Sequence, residues 1–216
     1  MRRPTIQRMG RAVGLLTLAA IMVVAAAAWV EAGGSPTEVI QGTSSEVIRV
    51  LEDAQLKGPE RSAERQRRLE KVIGDRFDFS EMAKRSLGGQ WRTLTEAERR
   101  EFVELFRRLL SNTYLAKIEG YAGEQVVCLG ERVEGGYAEV QTKLLMDKDE
   151  VPVNYRLLNT GGEWRIYDAV VDGVSLVNNY RGQFARILRT NSYADLLAQL
   201  RKKSQESVEA SNRRAS

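Results

Sequence analysis

The residues best equipped for chemistry in this chain crowd into one stretch, Asp168-Ala169-Val170-Val171-Asp172-Gly173-Val174-Ser175. Two carboxylates this close could divide general acid and base roles, and the serine could act as a nucleophile. The partners such chemistry needs are missing. The chain contains no histidine, which removes the commonest general base and the commonest metal ligand. Ser175 sits in Gly173-Val174-Ser175-Leu176-Val177, without the second glycine of a nucleophile elbow. Asp172 precedes a glycine and Asp168 ends a strand, so both read as turn and cap formers rather than as a catalytic pair. Cys128 is the single cysteine, which excludes an intramolecular disulfide and a cysteine cluster. It lies in the apolar run Val126-Val127-Cys128-Leu129 and reads as a small core residue rather than a reactive thiol. No Gly-rich phosphate loop of the Walker type occurs. On the residues alone, an enzyme is the weaker reading.

The elements around this stretch point elsewhere. Trp164, Ile166, Asp168 and Val170 alternate with Arg165, Tyr167, Ala169 and Val171, which predicts a strand with bulky residues on both faces. Asp172-Gly173 breaks it. Ser175 then caps a helix whose apolar positions, Leu176, Val177, Tyr180, Phe184, Ile187 and Leu188, recur at helical spacing. A strand buried on both faces that feeds directly into an amphipathic helix can wall a cavity.

The rest of the chain supplies the other walls. Thr37 begins a helix with Val39, Ile40, Val47, Ile48 and Leu51 as its apolar positions, ending near Gly58-Pro59. A charged helix over 60–73 follows. Its Arg61, Arg65, Arg67 and Arg68 interleave with Glu60, Glu64 and Glu70, so it reads as an ion-paired surface helix rather than an anionic-lipid patch. Asp78 or Ser80 caps a short helix that stops at Gly88-Gly89. Thr95-Glu96-Ala97-Glu98 is a capping box opening the longest helix, to about Glu119, with Phe102, Leu105, Phe106, Leu109, Leu110, Thr113 and Tyr114 on one wide apolar face. From Gln125 the period changes to two. Strands over 125–132, 137–146, 151–158 and 164–171, joined by short Gly- and Asp-containing turns, form an antiparallel meander. Two helices close the chain, the second capped by Ser192. The fold class is therefore α+β: a helical layer packed on a four-stranded antiparallel sheet, with room for a cavity between the layers.

With 216 residues, 43% of them apolar, the chain is globular. Its start is a targeting segment. Arg2, Arg3, Arg8 and Arg11 precede the uncharged run Ala12–Val30, and Val30-Glu31-Ala32 resembles a signal-peptidase site. The 19-residue run is also long enough for an uncleaved anchor; the alanine run and small-residue exit favour cleavage. Removing residues 1–32 takes away four Arg and one Glu and lowers the net charge from +4 to +1. That leaves little support for a nucleic-acid partner. The organisation read from the chain is a signal peptide over 1–32, a single domain over 33–204 (helical to about 121, then sheet and C-terminal helices from about 125) and a polar, disordered tail over 205–216.

Several landmarks in this order resemble one known family. They are Phe77-Asp78-Phe79-Ser80-Glu81-Met82-Ala83, Leu87-Gly88-Gly89-Gln90-Trp91, the Phe102–Tyr114 helix, Gly162-Glu163-Trp164-Arg165-Ile166-Tyr167-Asp168, and Asp172-Gly173-Val174-Ser175-Leu176-Val177-Asn178-Asn179-Tyr180-Arg181 followed by Phe184. The ordered set resembles the MlaC family of periplasmic phospholipid-binding proteins, also described as toluene-tolerance auxiliary components, over about residues 37–200. The Asp172–Arg181 run is its most specific part. The resemblance implies a nuclear-transport-factor-like curved sheet joined to a helical layer, and no cofactor beyond bound phospholipid as cargo. The partners it implies are an inner-membrane ABC transporter with its MCE-type subunit and an outer-membrane lipoprotein complex, in the service of outer-membrane lipid asymmetry. A branch associated with hopanoid export stays open beside it, as does a non-catalytic module that docks envelope proteins through Arg181, Arg186 and Arg189.

A carrier also suits the physics. Two acyl chains hold about 30 methylenes, each favouring burial by roughly 0.8 kcal/mol, so crossing water exposed would cost on the order of 25 kcal/mol. The expected wall from the sheet is Val140, Leu144, Val153, Tyr155, Leu157, Trp164, Ile166 and Val170. From the helices it is Phe102, Phe106, Leu109, Val174, Val177, Phe184 and Leu188. Taken singly, each reads as ordinary filled core before it reads as ligand wall; the set is the expectation.

Overall fold

The computed structural model describes residues 34–215, with side chains described as far as 205. The export segment read over 1–32 lies outside the described residues. Helix α1 (Pro36–Glu52) opens on a capping box: the Glu38 N–H donates to Ser35 Oγ at 3.2 Å, and the Ser35 N–H donates to Glu38 Oε2 at 2.7 Å. After two 3-10 turns come α2 (Ser62–Arg76) and α3 (Phe79–Leu87), the latter capped by Asp78, which accepts from the Glu81 N–H at 2.8 Å. A 3-10 segment, Gly88–Thr93, turns the chain into α4 (Glu96–Glu119), where the predicted Thr95/Glu98 box is formed on both sides.

The sheet is a meander of five antiparallel strands in the order β1-β2-β3-β4-β5. These are β1 (Gln125–Glu134), β2 (Tyr137–Leu145), β3 (Glu150–Thr160), β4 (Glu163–Val171) and β5 (Val174–Ser175). The expected count was four. The fifth strand exists because Asp172, in the left-handed region at φ 48°, and Gly173 reverse the chain so tightly that Val174 and Ser175 return onto Val171 and Val170. Helices α5 (Leu176–Leu188) and α6 (Tyr193–Ala215) follow. The backbone of α6 continues to Ala215, through the stretch read as a disordered tail; Gln, Glu, Arg and Ala there are good helix formers.

Two bulges decide which residues face inward. In β1 the register passes from Cys128–Thr142 to Gly130–Gln141, leaving Leu129 extra. In β4 it passes from Leu157–Ile166 to Arg156–Asp168, leaving Tyr167 extra. A one-residue insertion exchanges the faces of everything beyond it. Trp164 and Ile166 therefore share the inner face with Leu157, whereas Ala169 and Val171, not Val170, lie beside Tyr155 and Val153.

Two packed cores flank the space between. In the first, Phe102 and Phe106 of α4 are fully buried against Tyr180 and Phe184 of α5, with Leu196, Leu197 and Leu200 of α6 behind them. Its rings meet edge to face, Phe106–Tyr180 at 5.3 Å and Phe102–Phe184 at 5.6 Å. In the second, Val39 and Ile40 at the start of α1 close over Ala138, Val140, Leu157, Trp164 and Ile166 at one end of the sheet.

Candidate functional site

At the other end of the same sheet face the layers separate and enclose a cavity of about 600 Å³. Its floor is the open end of the strands, with Val126, Leu144, Val151, Val153 and Val171. The second half of α1, from Thr43 to Leu51, and the second half of α4, with Leu110, Tyr114 and Ile118, cover it. Phe77, Phe79 and Met82 close the inner end. Four lining residues are solvent-exposed, Lys117, Val171, Val174 and Asn179, and these mark the mouth.

Of the residues expected in the wall, Leu144, Val153, Tyr155, Ile166 and Val174 line this cavity. The other ten lie elsewhere. Phe102, Phe106, Val177 and Phe184 are buried in the helical core, and Leu109 and Leu188 pack against it. Val140, Leu157 and Trp164 belong to the sheet core under α1, and Val170 faces away because of the Tyr167 bulge. Both the core and the cavity need the same apolar period, so periodicity could not divide α4 at Leu110. The α1 wall was missed although its signal was present: Val47, Ile48 and Leu51 extend the stripe a full two turns past the residues that pack on the sheet.

The polar groups near the mouth are few. Arg107 is held by Glu104, at 3.2 Å from Nε and 3.1 Å from Nη2. Lys117 Nζ stands 5.7 Å from the Tyr114 ring. Among the described residues no three His, Cys, Asp or Glu side chains converge as a metal site would need. Asp168 is buried but does not line the cavity. Its carboxylate accepts from Ser175 Oγ at 2.6 Å, the Val177 N–H at 3.0 Å and Arg156 Nη1 at 3.3 Å. It clasps the start of α5 to the sheet, and Asp172 makes the turn between them. Cys128 is half-buried, with its thiol pushed up by burial, which makes it a weaker nucleophile.

The phenols report how dry the wall is. Burial raises Tyr155 on the floor, and it pushes Tyr114 up to about 12, with Tyr180 beside it adding to the shift. Tyr193 in the helical core also reaches about 12, through burial and then the nearby Glu98 and Glu101. An acid raised on folding favours the folded state up to its unfolded pKa, near 10, and that preference is lost as pH climbs through the folded value. A spectrophotometric base titration should therefore leave part of the phenolate signal to develop near pH 12 in the folded chain. In denaturant the whole signal should appear near pH 10. A single step near pH 10 in the folded chain would show a wet, open wall.

Comparison with known proteins bears on this geometry. The family model described as MlaC protein matches residues 41–202. The toluene tolerance protein ttg2D of Pseudomonas putida is 26% identical over 163 residues, covering 74% of this chain and 76% of that protein. The intermembrane phospholipid transport system binding protein MlaC of Haemophilus influenzae is 20% identical over 128 residues, 56% of this chain and 60% of that one. Among solved structures, a phospholipid-binding protein from Ralstonia solanacearum, in complex with a phospholipid, superposes with a TM-score of 0.72 at 19% identity, over 81% of this chain and 99% of that one.

Proposed function

Because the chain belongs to the MlaC protein family, we propose that it is a periplasmic phospholipid carrier that holds acyl chains in the cavity between its helices and its sheet. The observation that carries this reading is the cavity itself. A space of about 600 Å³ is far larger than a packing void, and without an occupant it leaves apolar side chains against water at a cost in free energy. An apolar occupant removes that cost. The volume lies within the range of about 300–1,000 Å³ usual for ligand sites, and its wall is almost entirely apolar.

The names of the relatives, toluene tolerance and intermembrane phospholipid transport, support the same reading. Leu144, Val153, Tyr155, Ile166 and Val174 would touch the chains, with the head group at the mouth near Lys117 and Asn179. Exchange would run between an outer-membrane lipoprotein complex and an inner-membrane ABC transporter with its MCE-type subunit. Export by the N-terminal segment would deliver the chain to the periplasm.

Native mass spectrometry of the purified mature chain tests the proposal. The expected result is one two-chain phospholipid per protein, and a melting temperature that falls when the lipid is extracted, since a ligand bound only to the folded state stabilises it. A sterol-like adduct would replace phospholipid with the hopanoid alternative. Protein recovered from membrane-rich cells without lipid would overturn the carrier reading.

A further inference from the structure

From Gly173 to Ala194 the chain carries three arginines, Arg181, Arg186 and Arg189, and no Asp or Glu. The other long helices differ. On α2, Glu64 holds Arg67 and Arg68; on α4, Glu96 holds Arg99 and Glu104 holds Arg107 and Arg108. Those pairs sit at i,i+3 and i,i+4 spacing, which leaves each surface close to neutral. On α5 no such spacing is available. Among the described residues none of its three arginines is ion-paired with a carboxylate.

All three are exposed. At 3.6 residues per turn they fall within an arc of about 140° and span about 12 Å along the axis. Asn178, Gly182 and Ala185, exposed between them, are too short to shield a guanidinium. The Arg181 guanidinium lies over Gly88, whose positive φ of 59° and missing side chain leave room for it. At the N-terminal end of the same helix stands the Val171–Val174 pair at the cavity mouth, 45% and 60% exposed.

We infer that this side of α5 is a docking surface for an anionic phospholipid bilayer, with the arginines on head-group phosphates and the Val171–Val174 corner at the acyl boundary. Guanidinium forks match phosphate oxygens in pairs. A protein partner is gripped through aromatic or aliphatic anchors seated in pockets, and the exposed side of α5 offers neither. Its spread of cations without carboxylate partners instead suits a laterally mobile layer of phosphates, which satisfies the cations whichever lipid stands beneath each one. The arginines lie outside the cavity and do not depend on the cargo; their effect is to bring the mouth against the membrane.

Flotation of the mature chain with vesicles tests this, using phosphatidylethanolamine with phosphatidylglycerol against phosphatidylcholine alone. Binding to the anionic vesicles is expected, weakening with salt, with little to the zwitterionic ones. The variant R181Q/R186Q/R189Q should bind about 100-fold more weakly, at about fivefold per cation. R186Q/R189Q, which keeps the Arg181–Gly88 contact, should lose about 25-fold on the same scale and serves if the triple variant misfolds. R67Q/R68Q/R108Q, with the same change in charge at paired arginines, should bind like the wild type. The inference is overturned by no flotation with anionic vesicles at low salt, or by equal losses in the two triple variants. It is also overturned if the chain ignores vesicles but binds polyglutamate through α5, which would assign the surface to an acidic protein. Native mass of the same samples reads cavity loading separately, so a failure to dock and a failure to carry lipid are told apart.

Discussion

Replacing Val153 by tryptophan is expected to strip lipid from the protein while leaving it folded, and replacing Val140 by tryptophan is expected to do the reverse. The two valines lie on the inner face of neighbouring strands, yet Val153 lines the cavity and Val140 is fully buried beneath α1. A larger side chain in a closed core costs about 1–3 kcal/mol, and the indole of Val140→Trp meets Val39 and Ile40 with no room to move. At about 2–4 °C per kcal/mol for a chain of this size, the delipidated Val140→Trp protein should melt some 2–12 °C lower. The surviving folded fraction should keep its lipid. In Val153→Trp the indole occupies space that acyl chains would fill, so the delipidated protein should melt close to wild type and bind much less phospholipid. Thermal melts and lipid counts by mass spectrometry read both outcomes. Equal destabilisation of the two variants, with lipid retained in Val153→Trp, would move the cavity away from the open end of the sheet.

Phe106→Ala should be strongly destabilising. Phe106 is fully buried and touches three rings, Phe102 at 6.0 Å, Tyr180 at 5.3 Å and Phe184 at 5.8 Å. Removing a buried phenyl costs about 3–5 kcal/mol, the lost transfer energy plus the hole left behind. The apolar wall on α4 begins a turn further along, at Leu110, and continues through Tyr114 and Ile118, so lipid per folded molecule should stay near the wild-type value. Urea unfolding and lipid content measured together check this. A loss below about 1 kcal/mol accompanied by lost lipid would make Phe106 part of the wall after all.

Local chemistry made much of this fold legible. The Thr95/Glu98 box, the Asp78 and Ser175 caps, the change of period at Gln125 and the Asp172-Gly173 break are short-range signals, and each forms as expected. The reading of Asp168 and Asp172 as cap and turn formers rests on the same kind of signal, and the hydrogen bonds of Asp168 agree with it. What stayed hidden was set at longer range. A stripe of Phe, Leu and Tyr on α4 looks uniform along its length, but its first half meets two other helices and its second half meets empty space. Whether a face is filled depends on what stands opposite, which no periodicity records. The bulge at Tyr167 was hidden for a different reason: strict alternation is the default for a strand, and nothing in Arg165-Ile166-Tyr167-Asp168 announces an extra residue.

That extra residue makes the place of the irregularity in β4, more than the strand's composition, the property that shapes the chamber. Counting outward from Ile166, an odd number of steps reaches Ala169 and Val171, and the bulge is what gives those odd steps the inside. Were the strand regular with Tyr167 kept, the parity would reverse: Ala169 and Val171 would turn out, Val170 would turn in, and the Asp168 carboxylate would leave its clasp on α5 for an apolar lining. A charge placed there is worth several kcal/mol against the fold, far more than any trimming of Tyr167 itself. Removing Tyr167 leaves a regular ladder with Asp168 still opposite Arg156 and Ala169 still opposite Tyr155, so deleting its codon should do less harm than deleting that of Ala169, which turns Val170 in and Val171 out.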